Sequence, residues 1–402
     1  MRQVGVTGKP NVGKSTFFAS ATLVPVKIAN YPFTTVEPNK GIAYVKVKDV
    51  SSEFGVIPNP VNSMVIGGWR FVPVELVDLP GLVPGAHAGR GLGNMFLTEV
   101  SNADVLIHIL DASGSTDDEG RQATPGSWDV LKDVRFLERE YDFWLQEILK
   151  RNWDKICKQV ENTRTPFAEV IYSTFPGIFK KREYVEAAVE SSGAGKNLRL
   201  WTEEQMLNFA SKARELSKPT LLVANKADLP ESEKNIIKLK EMGYKVVPCS
   251  AEAELALRRA ERSGLVNYIP GNPSFEVKPG ARLSDQQKRA LDLIESRVLN
   301  KWGSTGVQDA LNIAYFELLG MVAVYPVQDQ RSLTDGKGNV LPDVYLMPRG
   351  STVRDLAYEI HSELGRDFLY AVDCRTMMRL SEDYMLKDED VVSIVSTSRG
   401  KK

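Results

Sequence analysis

Apolar and polar positions follow two rhythms along this chain, and the changes between them outline its architecture. Val4 to Val6 form a short apolar run before a glycine-rich stretch, which predicts a buried strand followed by a helix from about Lys14. Residues 41–48 alternate apolar and polar, as a half-buried strand does. Residues 49–68 are rich in Gly, Pro, Asn and Ser and predict an excursion. Residues 70–78 predict a second strand, antiparallel to 41–48. Further strands are predicted at 105–110, ending in Asp111, at 220–224, ending in Asn225, and at 245–248, ending near Ser250. Buried strands separated by helices imply an α/β fold with a mostly parallel sheet and helices on both faces.

From about 127 to 217 the rhythm is helical. Leu137, Tyr141, Trp144, Leu145, Ile148 and Leu149 recur at three and four residues, and the stripe extends through Ile156 and Val160. A helix of about 34 residues would span about 50 Å, too long for a crossover inside a compact sheet domain. The expectation is a coiled-coil-like helical insertion, an antiparallel hairpin projecting from the body. Within it Lys180, Lys181 and Arg182 read as a solvated face. Helices are predicted at 284–300 and 308–319. From Met321 a separate α+β unit begins, with strands at 321–327, 344–347 and 391–395. Its helix starts at a capping box of Thr352 and Asp355, buries Val353, Leu356, Ala357, Ile360 and Leu364, and stops at Gly365. The domains expected are 1–126, 127–217 as the insertion, 218–320, and 321–402.

Composition narrows the picture only a little. A net charge of -1 over 402 residues gives no global positive field for nucleic acid or an anionic membrane, although a local basic face stays open. Cys157, Cys249 and Cys374 form no CxxC pair, which fits a reducing cytosol. Three histidines leave little material for a metal cluster. No apolar run reaches about 18 residues, so no membrane span is expected. The opening MRQVGVTGKP is already a strand entering a loop, so no leader peptide is expected. A soluble, cytoplasmic, monomeric protein is the reading.

The chemistry lies in four short segments. Gly8-Lys9-Pro10-Asn11-Val12-Gly13-Lys14-Ser15, followed by Thr16, matches GxxxxGK[ST] between a strand and a helix. Its glycines let backbone N–H groups wrap phosphates at a helix N-terminus. Lys14 would reach the β- and γ-phosphates, and the Ser15 hydroxyl would ligate Mg²⁺. Asp78-Leu79-Pro80-Gly81 ends a strand, so Asp78 can hold Mg²⁺ and the Gly81 N–H can meet the γ-phosphate. Thr35, ahead of Thr34, is the expected switch threonine on Mg²⁺. Asn225-Lys226-Ala227-Asp228 is base chemistry: a carboxylate at Asp228 can accept from both N1–H and N2–H₂ of guanine. Facing adenine it would stay unpaired, at a cost on the order of 1–3 kcal/mol. Asn225 can tie this loop to the phosphate loop, and the Lys226 stem can cover the base. Ser250-Ala251 would offer a backbone N–H to guanine O6.

GKPNVGKST, YPFTTVEPN, DLPGLVPGAHAGRGLGN and NKAD, in this order, resemble the Obg-related P-loop GTPases, most closely the YchF subfamily, over essentially the whole chain. The resemblance implies a helical insertion, a C-terminal TGS domain of β-grasp fold from Met321, and GTP hydrolysis to GDP as a switch with the ribosome or RNA as partner of the arm and TGS domain. Many YchF proteins lack the guanine-reading aspartate and prefer ATP; this chain keeps Asp228, which points to the GTP-selecting branch. The alternatives are an ATP-preferring or broad-specificity hydrolase, and a nucleotide-dependent RNA-binding module with little turnover. Leu82 stands where Ras-like proteins place a water-orienting glutamine, so turnover should be slow or use another group. His87 is the leading substitute, since its ordinary pKa suits water orientation. Asn11, in a PN-GKS loop like that of related GTPases, is a candidate K⁺ ligand. His108, inside VLIHILD, reads as structural.

Overall fold

The computed structural model describes residues 2–23, 40–79, 99–193, 195 and 197–397. Thr34, Thr35, Gly81, Leu82 and His87 lie outside the described residues. The chain divides into two compact units. Among the described residues one holds 2–23, 40–41 and 75–310, and the other holds 42–74 and 311–397.

The first unit is built on strands β1 (Gln3–Thr7), the end of β4 (Trp69–Asp78), β5 (Val105–Asp111), β6 (Thr220–Asn225) and β7 (Val246–Pro248). β1 lies between β4 and β5, and β5, β6 and β7 follow outward, every pair parallel. β5 is buried along its whole length and β6 along nearly all of it, as parallel strands covered on both faces must be. Their C-terminal ends place Asp78, Asp111 and Asn225 at one edge of the sheet, beside the loop that leaves β1. In open parallel sheets this edge is where ligands bind. A short antiparallel pair, β8 (Val266–Asn267) with β9 (Glu276–Val277), packs with the helices that follow β7.

The long helix is present at Leu131–Thr163, 33 residues. The insertion is not a two-helix hairpin, however. Helix Glu203–Ser217 packs along the long helix, and Phe167–Thr174 and Arg182–Ser191 complete a four-helix cluster. Trp153, Phe167, Trp201 and Phe209 knot it together, with ring centroids 5.1 to 5.9 Å apart. Nor does the insertion stand clear of the sheet at its root. Leu137, Tyr141 and Trp144 share one apolar cluster with Val77, Leu79, Val100 and Leu106. The residues of the basic triplet are engaged: Arg182 pairs with Glu169 and Glu186, and Lys181 lies over Tyr184.

In the second unit lie most of β2 (Lys40–Lys48), a neighbour of β4, and β3 (Met64–Ile66), which pairs antiparallel with residues 69–71 at the start of β4. The excursion is ordered around Arg70, whose side chain is fully buried. Its Nε and Nη2 donate to Asp49 Oδ1 at 3.1 and 2.9 Å, and its Nη1 donates to Ser63 Oγ at 3.2 Å and to the Leu341 carbonyl at 2.9 Å. A five-stranded sheet follows, in the order β11 (Tyr345–Pro348), β10 (Met321–Val327), β14 (Val391–Ser396), β12 (Phe368–Asp373), β13 (Arg379–Leu380). Only β10 and β14 pair in parallel, the mark of a β-grasp sheet. Helix Val353–Ile360 covers it through Val353, Leu356 and Ala357, and Thr352 and Asp355 form the expected capping box. That helix ends at Ile360, not Gly365, because His361 is extended. Gly365 falls inside a second short helix, where a Cβ would sit 2.2 Å from the Tyr358 ring.

Candidate nucleotide site

The loop between β1 and helix Lys14–Thr22 has backbone demands that few residues meet. Gly13 has φ +93°, and a Cβ there would come within 2.2 Å of Asn225 Nδ2. A Cβ on Gly8 would lie 2.7 Å from the Ile109 carbonyl oxygen. Asn11 also has positive φ, at +62°, which asparagine tolerates better than most residues. Its Nδ2 donates to the Gly120 carbonyl at 2.9 Å, so it acts as a turn former braced by the loop after β5. Lys14 begins the helix and donates from Nζ to Asp78 Oδ1. Ser15 follows it on the exposed side. The helix N-terminus, its backbone N–H groups and Lys14 can make a cradle for a triphosphate. A hydroxyl at Ser15 and a carboxylate at Asp78 are hard oxygen donors, the set Mg²⁺ prefers. They fit that ion, which would neutralise phosphate charge.

The NKAD corner is held by three side chains. Asn225 Nδ2 donates to the Val12 carbonyl at 2.8 Å, joining the NKAD loop to the phosphate loop as the sequence suggests. Asn225 Oδ1 accepts from the Ala251 N–H at 3.0 Å. Of the two N–H groups in the Ser250-Ala251 pair expected to offer one to guanine O6, the Ala251 N–H is therefore engaged by asparagine in this structure. Asp228 is partly exposed, and its Oδ1 accepts from Ser250 Oγ at 2.8 Å. One hydroxyl aims the carboxylate and leaves acceptor capacity for two N–H groups of a base. The Ser250 loop is itself fixed: its N–H donates to the Thr305 carbonyl at 2.9 Å. Gly306, with φ +83°, packs so closely that a Cβ would meet the Pro248 oxygen at 2.0 Å.

Two contributors were not singled out from sequence. Asp111, at the end of β5, accepts from Lys226 Nζ at 2.9 Å and from Ser113 and Ser115. Burial alone would raise its carboxyl, but the hydrogen bonds from Lys226 and Ser113 prevail and hold it below the usual range. Asp111 thereby fixes the lysine of the NKAD segment. Its signal was an aspartate ending a buried strand next to NKAD. The other is the loop 111–128, which braces the phosphate loop at Lys9 and Asn11. His108 is buried and neutral: burial, then the nearby Lys9 charge, lowers its pKa to about 3.

A parallel sheet with GxxxxGK[ST], a strand-end aspartate and NKAD converging on one edge defines a P-loop GTPase. More particularly, the chain belongs to the Obg-like GTPases. The 50S ribosome-binding GTPase family matches residues 3–135, the Obg-like GTPase YGR210-like, G4 motif-containing domain matches 223–329, and the TGS domain matches 333–396. A GTP-binding protein of Methanocaldococcus jannaschii is 45% identical over 401 residues, 99% of this chain and 100% of that one. The crystal structure of a GTP-binding protein from Pyrococcus horikoshii is 37% identical with a TM-score of 0.77, covering 99% of this chain and 100% of that one. The YchF GTPase of Schizosaccharomyces pombe shares the fold at 16% identity and a TM-score of 0.59, covering 98% and 97%. The protein is thus a GTP-binding protein with a helical insertion and a C-terminal TGS domain. Among the described residues no helix is long and apolar enough to cross a membrane.

Proposed function

We propose that this protein hydrolyses GTP to GDP and phosphate as a molecular switch. The observation that carries the reading is Asp228, held by Ser250 Oγ beside an Asn225 that is bonded to the phosphate loop. A carboxylate so placed complements the N1–H and N2–H₂ edge of guanine. Adenine would leave it without donors, which disfavours the ATP-preferring alternative. Lys14 and the helix N-terminus hold the triphosphate, and Ser15, Asp78 and Thr35 hold Mg²⁺. The Gly81 N–H senses the γ-phosphate, and His87 orients the attacking water in place of the missing glutamine. Asn11 is held as a turn residue through Nδ2, which leaves its Oδ1 as the atom that would face K⁺.

The partner is the ribosome or an RNA within it, met by the helical arm and the TGS domain in a monomeric, cytoplasmic protein. Support comes from the families matched over 3–135 and 333–396. Competition of GTP and ATP for the wild-type protein is expected to favour GTP by at least about tenfold. Equal affinity would overturn the assignment. Phosphate release with and without K⁺, in wild type, His87→Ala and Asn11→Ala, tests the catalytic roles. Ribosome pulldown with a non-hydrolysable GTP analogue against GDP tests the partner.

A further inference from the structure

The second residue of the phosphate loop does something that cradling phosphate does not require. Wrapping phosphates uses backbone N–H groups, yet the Lys9 side chain turns inward and is only 6% exposed. Its Nζ lies 2.8 Å from Asp133 Oδ2, donates to the Thr116 carbonyl at 2.9 Å, and sits 4.8 Å from the Trp128 ring centre. Asp133, 7% exposed, stands in the first turn of the long helix Leu131–Thr163, and its Oδ1 accepts from Trp128 Nε1 at 3.0 Å. A charged pair inside the protein therefore joins the nucleotide loop directly to the root of the helical insertion. The pair borders a cavity of about 280 Å³ with Thr7, His108, Trp128 and Leu137. Among the described residues, Thr7 Oγ1 and His108 Nδ1 are buried there without a hydrogen-bond partner. The ammonium thus borders a cavity that other polar side chains also line, unlike a side chain locked in close-packed surroundings.

We propose that Lys9 and Asp133 are a positioning pair that couples the nucleotide loop to the helical insertion. The proposal rests on nucleotide binding at Gly8–Ser15. Separating two opposite charges in a low-dielectric interior is costly, so a shift of the backbone at Gly8-Lys9 draws the first turn of the long helix with it. From there the apolar root stripe of Leu137, Tyr141 and Trp144 carries the displacement into the insertion. Nucleotide state at one end is read as helix position at the other.

Hydrogen exchange of the full-length protein tests this, with amides of 131–145 followed without nucleotide, with GDP, and with a non-hydrolysable GTP analogue. Each variant is measured at nucleotide concentrations that saturate it, and melting temperatures check folding. In wild type, exchange in this segment should differ between the nucleotide states by at least about tenfold. Asp133→Asn, and separately Lys9→Met combined with Asp133→Leu, should lose most of that difference. The double substitution replaces both charges by apolar groups and so protects the outcome against simple unfolding. A double variant that keeps the wild-type difference would make the pair a mere staple and overturn the proposal. So would a wild type whose exchange ignores the nucleotide. Failure of wild type to bind either nucleotide would instead refute the premise, and the affinity measurements separate the two results.

Discussion

Two aspartates, one in each unit, carry opposite instructions. Asp49 is buried, and its two oxygens are filled by Arg70 and by the Ser51 hydroxyl. Asp228 is partly exposed, and among the described residues a single hydroxyl, Ser250 Oγ, orients it. A buried carboxylate with both oxygens engaged offers little to a ligand and serves the fold. A carboxylate aimed by one bond and otherwise open serves recognition. Residue type does not distinguish them; the count of satisfied lone pairs does.

The largest effect expected from this contrast is on the saturated side. Arg70→Met leaves Asp49 charged, buried and without its partner, and also frees the Leu341 carbonyl and Ser63. A loss of about 3–5 kcal/mol of stability is expected, measured by urea unfolding of the full chain. GTP affinity of the folded fraction should stay at the wild-type level. A loss under about 1 kcal/mol would mean that the cluster is not the structural knot it is taken for.

Asp228→Ala should do the reverse. GTP affinity should fall by about tenfold to a hundredfold, the range set by leaving two base N–H donors unmatched, while the melting temperature barely moves. ATP affinity should change little. Isothermal titration with both nucleotides reads it, and an equal loss for ATP would show that the carboxylate acts on something other than the base.

His108 sits between these two classes: buried, polar and unsaturated. Its folded pKa of about 3 lies below the ordinary 6.5, so from pH 6.5 down toward 3 the unfolded chain takes up a proton that the folded one refuses. Stability is therefore unaffected by this group above pH 6.5 and falls as the pH drops below it. By pH 5 the loss from this side chain should be on the order of 2 kcal/mol. His108→Leu should flatten that part of the acid profile. An unchanged slope between pH 6.5 and 5 would place the acid sensitivity elsewhere.

Much of this was legible before any coordinates. The strand-end positions of Asp78, Asp111 and Asn225, the 33-residue helix and the Thr352 capping box all follow from local periodicity and local hydrogen bonding. The Asn225 link to the phosphate loop followed from the role that NKxD plays. What stayed hidden is non-local. The four-helix cluster depends on which apolar faces meet, and a one-dimensional stripe does not say how many partners it has. Lys9 belongs to the phosphate-loop motif and Arg70 opens a predicted strand, but nothing near them in sequence reveals Asp133 or Asp49 as their acceptors. The backbone N–H groups of Ser250-Ala251 read as open to a ligand because their acceptors, the Thr305 carbonyl and Asn225 Oδ1, come from other parts of the chain.

The finest division between fold and recognition compares two hydroxyls. Thr352 accepts from the Asp355 N–H at 3.2 Å at a helix start, and Ser250 donates to Asp228 at 2.8 Å at the ligand's edge. The Thr352 hydroxyl also donates to Asp355 Oδ2 at 2.9 Å, but both of its bonds are exposed, so removing either hydroxyl should cost on the order of 1 kcal/mol. The cost should surface in different measurements. Thr352→Ala should lower unfolding free energy by that amount and leave nucleotide affinity alone, because the cap exists only in the folded chain. Ser250→Ala should weaken GTP binding by severalfold with little loss of stability, because Asp228 is exposed enough for water to replace the lost donor until a base must be met. If both variants lost stability equally and neither lost affinity, Asp228 would need no aiming, and the distinction between saturated and open carboxylates would reduce to burial alone.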